Sequence, residues 1–243
     1  MKKIAILLIL IALSQACTQT SHSCFKKLGK IDTLSVNLSY FKSLKNNLIC
    51  DIKLFNDNKN YVRIIGREML LPKISIEQIE DTVILKDRNI CYFMHNYDSS
   101  RICVEIHTTG DTLIVYNKNA ATISSDNIKL ALFIFTSSTY LTNLDLNITS
   151  DIISIGTWHG TGNYKLRGTT DLLSISSYNS AWINADSLLA HKANIMNNSV
   201  CDIKVNVSDY LNAVIKNSGN IFYRGKPRID SVITGSGKLI KIQ

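Results

Sequence analysis

The sequence has few prolines, few charged residues and only six cysteines. Two prolines leave no room for a Pro-rich linker or a collagen-like chain. Charged residues make up 19% of the 243 positions and hydrophobic residues 45%, which excludes an intrinsically disordered chain. A chain of this length buries a sizeable core without disulfide or metal staples. We therefore expect one globular body.

Helical periodicity is absent from nearly the whole chain, and strand patterns take its place. β-Branched residues are plentiful together with Asn and Ser, which favours short strands joined by polar turns. Polar clusters separate seven strand-like segments in the first half: LSVNLSYF, NNLICDIKLF, YVRIIG, PKISIEQI, DTVILKD, ICYFMH and RICVEIH. At most, the stretch from Arg67 to Leu71, ended by Pro72, could form a short helical turn.

The formal net charge is +8, but the basic residues are scattered and form no run of five or more. A nucleic-acid-binding protein concentrates its positive charge on one stripe, so we expect no nucleic-acid partner. A mildly basic surface favours contact with anionic envelope lipids or polysaccharide.

The longest apolar run stands at the N-terminus, from Ile4 to Leu13, behind Lys2 and Lys3. A charged start and a short apolar run predict an export signal, and no later stretch is long and apolar enough to span a membrane. Because Cys17 follows at the expected cleavage point, the segment resembles a bacterial lipoprotein signal. We divide the chain into a signal peptide (1–16), a tether starting at the lipidated cysteine (17–30) and one head domain (31–243).

The lipoprotein signal departs from the usual pattern at Ser14, where a leucine is common, with Leu13 one place further back. This looser form is similar to lipoprotein signals of the Bacteroidetes, and it implies a protein anchored to the bacterial outer membrane, on its periplasmic or its cell-surface face. The alternative is an ordinary signal peptide that is cut nearby.

The second half of the chain carries an internal repeat of a hydroxyl-bearing residue followed by a short apolar alternation. The repeats are marked by Thr161, Ser180, Ser199, Ser218 and Ser236, whose sequence numbers rise by 19 three times and then by 18. Such a period is typical of a solenoid, in which each turn buries its apolar face only against its neighbours. The frame of a leucine-rich repeat does not recur. We therefore predict an all-β protein, a parallel β-helix with an irregular, strand-rich N-terminal part.

The C-terminal residues NSGNIFYRGKPRIDSVITGSGKLIKI combine an apolar strand, an aromatic-x-Gly-x-Pro turn and a Gly-Ser-Gly turn before a last strand. The turn residues are Gly225, Pro227, Gly235, Ser236 and Gly237. This pattern resembles the bacterial family "putative auto-transporter adhesin, head GIN domain", loosely over residues 31–242. The resemblance implies a right-handed parallel β-helix on an exported lipoprotein, often a homo-oligomer, without established catalytic residues.

One segment, CYFMHNYDSSRICVEIH, contains two cysteines and two histidines that could supply a tetrahedral zinc set. If it folds as a hairpin, Cys91 pairs with His107 and His95 with Cys103 on one face. The two pairs would lie about 13 Å apart along the strands, too far for one ion. We therefore expect half-buried strand residues here, and neither a metal nor another cofactor.

The five cysteines other than Cys17 are an odd number, so they form no complete disulfide framework. We expect Cys201 to pack inside the β-helix as a small apolar residue.

Four aromatic residues are candidates for a glycan-stacking surface, because aromatic faces suit pyranose rings. They are Trp158, Trp182, Tyr164 and Tyr178. The alternative is that they pack in the core or stack between turns.

A parallel β-helix also raises the possibility of a polysaccharide lyase or hydrolase, which needs clustered carboxylates. Asp171 and Asp209 stand at equivalent repeat positions, but Ala190 at the intervening position is expected to break the column. His159 and His191 have no evident partners, and no nucleotide-binding, metalloprotease or nucleophile-elbow motif is present. We expect an adhesin-like, glycan-binding or structural envelope surface without catalysis. The alternative is an envelope polysaccharide-processing enzyme.

Overall fold

A computed structural model describes residues 27–89, 101–138, 141–178 and 180–243. Cys17, Cys91 and His95 lie outside these ranges. The described chain forms sixteen β strands that join into one sheet. Their bounds are Ile31–Asn37 (β1), Ser43–Asn46 (β2), Cys50–Asn56 (β3), Tyr61–Arg67 (β4), Ile74–Ile79 (β5), Thr82–Asp87 (β6), Cys103–Thr108 (β7), Thr112–Asn117 (β8), Ala121–Ser137 (β9), Thr142–Thr157 (β10), Thr161–Ser177 (β11), Ser180–Asn197 (β12), Ile203–Ile215 (β13), Ile221–Arg224 (β14), Arg228–Ile233 (β15) and Leu239–Lys241 (β16).

The second half is a β-solenoid, as the repeat predicted. Strands β9 to β13 each pair in parallel with the next, with Leu144 of β10 opposite Tyr164 of β11. A straight strand with the 17 residues of β11 would be about 56 Å long. The link before it, residues 158–160, spans at most about 11 Å. Each long strand therefore bends around the axis and returns above its own start, and the stack comprises about 6 turns.

The first half is irregular, as expected. Strand β4 pairs antiparallel with both β1 and β7, and β5 pairs antiparallel with β6. Strands β2, β3 and β8 already pair in parallel and lead into the solenoid. The order of the strands places β1 at one end of the sheet and β16 at the other.

The expected helical turn lies slightly later than predicted. It is a 3₁₀ turn over Leu71–Lys73, with Pro72 inside its first positions. Proline has no backbone N–H to donate and its φ suits the start of a helical turn, so Pro72 initiates this turn instead of ending an earlier one.

The core is a set of columns of apolar side chains, one from each turn. One column runs through Leu144, Tyr164, Ile183, Ile203 and Ile221, all at most 2% exposed. Side chains between the inward positions point outward and are mostly polar. Cys201 is also buried, as predicted.

The period of the structure varies more than the sequence repeat indicated. Thr161 pairs with Ser180, an increase of 19 in sequence number, but Ile183 pairs with Ile203, an increase of 20. The next increase, from Ile203 to its partner Ile221, is 18. The corners differ in length and each inserted residue shifts the register, so a fixed period of 19 aligns some positions wrongly.

One corner of the solenoid contains a buried column of polar side chains that the sequence did not reveal. Its members are Asn46, Asn117, Ser137, Thr157, Ser177 and Asn197, each at most 2% exposed and each aligned with the next in the sheet. Hydrogen bonds satisfy them: Asn117 Nδ2 donates to Thr142 Oγ1 at 2.9 Å, and the Thr157 hydroxyl donates to Ser177 Oγ at 3.3 Å.

Candidate functional site

A groove of about 490 Å³ lies on the outer surface of the solenoid, around the indole ring of Trp182. The residues that line it include Asn163, Lys165, Asn184 and Lys204. Trp182 is 54% exposed although it lies within strand β12. Its neighbours Ala181 and Ile183 fill the core, and the alternation of a strand therefore turns the indole toward solvent.

The groove continues toward the C-terminal end of the solenoid. Asp202, Phe222 and Ile242 line this part. Asp202 Oδ1 accepts hydrogen bonds from the backbone N–H and the Nδ2 of Asn220, at 2.9 and 3.0 Å. The groove thus combines an exposed indole, a half-buried phenyl ring, amides and charged side chains.

Tyr164 borders the groove, but its ring is buried beneath it and does not add to the exposed aromatic surface that the sequence predicted. Its side chain is 2% exposed and its ring packs edge-on against Phe135, with the centroids 5.7 Å apart. Burial raises the pKa of Tyr164 to about 12. Tyr164 is aligned with the core residue Ile183, whereas Trp182 is aligned with the exposed Asn163. The sequence repeat already contained this alternation of inward and outward positions. It would have identified Tyr164 as a core residue.

Trp158 and Tyr178 come together at the corner that precedes strands β11 and β12. Their rings stack with centroids 4.6 Å apart and an angle of 14° between the planes. Trp158 is 47% exposed, so the pair is an aromatic surface as well as a contact between turns. Neither residue lines the groove of Trp182.

His191 has partners that the sequence did not reveal. Its Nε2 lies 4.0 Å from Asp171 Oδ1, and its Nδ1 lies 3.5 Å from Asp209 Oδ2 and 3.3 Å from the Ser208 hydroxyl. Ala190 is not the intervening residue, because it points into the core and is fully buried; His191 occupies that position and interrupts the acidic column. The variable register places His191 between the two aspartates.

The zinc hypothesis involves two described residues, Cys103 and His107, both in β7. This strand pairs with β3 on one edge and β4 on the other, which leaves no edge for the proposed hairpin with residues 91–95. The hairpin register is therefore wrong. Among the ranges that the structure describes, no group of three or more His, Cys, Asp or Glu residues could hold a metal ion.

His107 is instead held by aromatic rings. It stacks between Phe55 and Tyr61, with centroids 4.4 and 3.9 Å away, and its Nδ1 lies 2.9 Å from Asp57 Oδ2. Together with a hydrogen bond from the backbone N–H of Asn58, the contact with His107 holds the pKa of Asp57 below its usual value.

The turn residues of the C-terminal pattern lie at corners of the last turns. Gly225 has φ +93°, and a Cβ there would lie 2.0 Å from the carbonyl oxygen of Val207, so the position requires glycine. Pro227 directly precedes β15, and Gly235, Ser236 and Gly237 connect β15 to β16.

The family described as "Putative auto-transporter adhesin, head GIN domain" matches residues 40–227. The chain belongs to this family. This membership supports an adhesin-like role and a place outside the cell or at its surface. No helix in the described part of the chain is long and apolar enough to cross a membrane. The sequence has no significant match among proteins of curated function.

Several solved structures share the fold of this GIN-domain protein. A putative adhesin from Bacteroides fragilis is 19% identical with a TM-score of 0.72, over 88% of this chain and 97% of that one. A putative adhesin from Parabacteroides distasonis is 16% identical with a TM-score of 0.62, over 88% and 98%. A protein from the same organism described as a putative lipid binding protein is 19% identical with a TM-score of 0.62, over 88% and 98%.

Proposed function

We propose that this protein is an outer-membrane lipoprotein whose solenoid binds glycans of the envelope or of a host surface, without catalysis. The observation that carries the proposal is the groove of Trp182, where an exposed indole stands beside amide and ammonium groups. Indole and phenyl faces stack on the apolar faces of sugar rings, and amides bind their hydroxyl groups.

The strand order supports a role of the solenoid at a distance from the membrane. The chain enters the sheet at β1, and β1 and β16 lie at opposite ends. A lipid on Cys17 would anchor the protein through the tether 17–30, so that the turns containing the groove lie far from the attached end. Acyl chains supply the membrane affinity, at about 0.8 kcal/mol per buried methylene group.

A glycan array with the purified protein tests the proposal. We expect retention on a subset of glycans and a loss of at least about tenfold in affinity for Trp182→Ala, because stacking on the ring is removed. Trp158→Ala is the matched control, since this tryptophan is similarly exposed but lies outside the groove. Absence of binding to every glycan, or equal losses in both variants, would contradict the proposal.

The column at His191 favours a second candidate, a polysaccharide-processing enzyme. Asp171 and Asp209 flank His191 on neighbouring turns, so two carboxylates and one imidazole lie together, the kinds of group that polysaccharide hydrolysis and elimination use. Incubation with host and bacterial polysaccharides decides between the two functions. Product release by the wild type that is lost in Asp171→Asn would establish the enzymatic function. Binding of a glycan without turnover would exclude that function for the glycans tested.

A further inference from the structure

The groove of Trp182 is built from two rows of outward side chains that run along the axis of the solenoid. Asn163 and Trp182 are aligned in the first row. The second row is Lys165, Asn184, Lys204 and Phe222, each aligned with the next in the parallel sheet. Successive members of a row are therefore about 4.8 Å apart. The second row therefore runs across the turns and presents one side chain per strand.

The positive charges of the groove are only partly balanced by the protein, because two lysines face one aspartate there. In the described part of the chain neither Lys165 nor Lys204 forms an ion pair, and both are exposed. The carboxylate in the groove, Asp202, uses Oδ1 to accept two hydrogen bonds from Asn220. The two lysines thus lie two strand spacings apart, about 9.6 Å between their Cα atoms, beside one carboxylate that is hydrogen-bonded to Asn220.

Other basic side chains on the same outer face form ion pairs within the protein. In the turns nearer the N-terminus, Lys53 pairs with Asp126 at 2.6 Å and Arg167 pairs with Asp145. Asp145 is the residue aligned with Lys165 in the preceding turn, so its charge is already taken by Arg167. These two basic side chains are paired within the protein, whereas Lys165 and Lys204 are not, and the groove keeps a net positive charge that an anionic ligand can balance.

We infer that the ligand of the groove is an acidic glycan, an extended polysaccharide that carries carboxylate or sulfate groups. It lies along the axis, with its sugar rings on Trp182 and Phe222 and its anionic groups at Lys165 and Lys204. This inference rests on the proposed function and specifies its ligand class. The regular spacing of the second row suits a polymer with a regular repeat of charge.

Binding of polygalacturonate, heparin and neutral dextran to the purified protein tests the inference. We expect both acidic polymers, or one of them, to bind at least tenfold more tightly than dextran, with affinity that falls as salt rises from 0.05 to 0.5 M, because exposed charges are screened over about 10 Å at 0.1 M salt. The double variant Lys165→Gln/Lys204→Gln should lose at least tenfold in affinity for the acidic polymer. Lys129→Gln, an exposed lysine of β9 outside the groove, is the matched control.

The outcomes separate this inference from the proposed function. Equal and salt-independent binding of acidic and neutral glycans would overturn the acidic class and leave glycan binding intact. Equal losses in the groove variant and in Lys129→Gln would also overturn it. Tighter binding of a single-stranded oligonucleotide than of either acidic polymer would overturn the assignment to glycans. Absence of any glycan binding would contradict both the acidic-glycan inference and the proposed function.

Discussion

The side-chain amide of Asn46 donates a hydrogen bond to Asn117 Oδ1 at 2.7 Å, and both side chains are buried although 71 residues separate them in sequence. Asn117 then donates to Thr142 Oγ1 in the next turn, whose hydroxyl lies 3.1 Å from Ser137 Oγ. Buried polar groups of this kind are costly when unpaired, so the column fixes the register of successive turns at this corner.

Replacing Asn117 by alanine should destabilise the protein by about 1–3 kcal/mol, because it removes partners from the buried side chains of Asn46 and Thr142. Urea unfolding followed by circular dichroism measures the change. Asn194→Ala is the control, since Asn194 points outward from β12 and exposed substitutions usually stay within about 0.5 kcal/mol. Equal stability of the two variants would show that the column contributes nothing.

Gly162→Ala should destabilise the protein by about 3 kcal/mol, the upper part of the range for overpacking. A Cβ at Gly162 would lie 1.7 Å from the backbone carbonyl oxygen of Thr142 in the preceding turn, which cannot move without breaking the sheet. Gly156→Ala is the control, because its Cβ would meet no atom closer than 3.4 Å. Thermal unfolding of both variants tests this difference, and a Gly162→Ala protein as stable as Gly156→Ala would refute it.

The stability that Asp57 supplies should depend on pH. The backbone N–H of Asn58 and the ring of His107 lower the pKa of Asp57 in the folded state, so its stabilising contribution is present above the usual pKa of about 4. The contribution is lost as pH falls through the lowered, folded-state pKa. Asp57→Asn should therefore be less stable than the wild type at pH 7, and the difference should shrink toward pH 2 in urea titrations. A difference that stays constant over this range would exclude this role.

Cys17→Ala should abolish lipidation if the N-terminal segment is a lipoprotein signal, because the thiol of this cysteine is the group to which the lipid is attached. Metabolic labelling with an alkyne fatty acid, followed by membrane fractionation, measures the effect. Cys24→Ala is the control, since it removes a cysteine further along the same tether. A wild-type protein that takes up no label would favour the ordinary signal peptide, and label that persists in Cys17→Ala would place the lipid at another residue.

Local patterns in the sequence were enough to predict the architecture. Alternation of apolar residues, the regular recurrence of hydroxyl-bearing residues and the closing turns around Gly225 and Gly235 indicated a β-helix of this family. Each of these signals depends on residues that are close in sequence, within about one turn of the solenoid. They can therefore be recognised without a structure.

The candidate site was only partly predictable, because its members come from different turns. Trp182 was identified by its residue type, but Lys165 and Lys204 acquire a role only through alignment across β11, β12 and β13. The sequence could not align them, since one extra residue at a corner shifts every later position of a turn.

The sequence by itself determined the β class, the repeating turns and the family. Only the tertiary structure decided that His191 stands between Asp171 and Asp209 and that Tyr164 is enclosed while Trp182 faces solvent. The physical reason is that side-chain alternation is set locally by the strand, whereas the alignment between turns is set by corner lengths and by packing over about 20 residues of intervening chain.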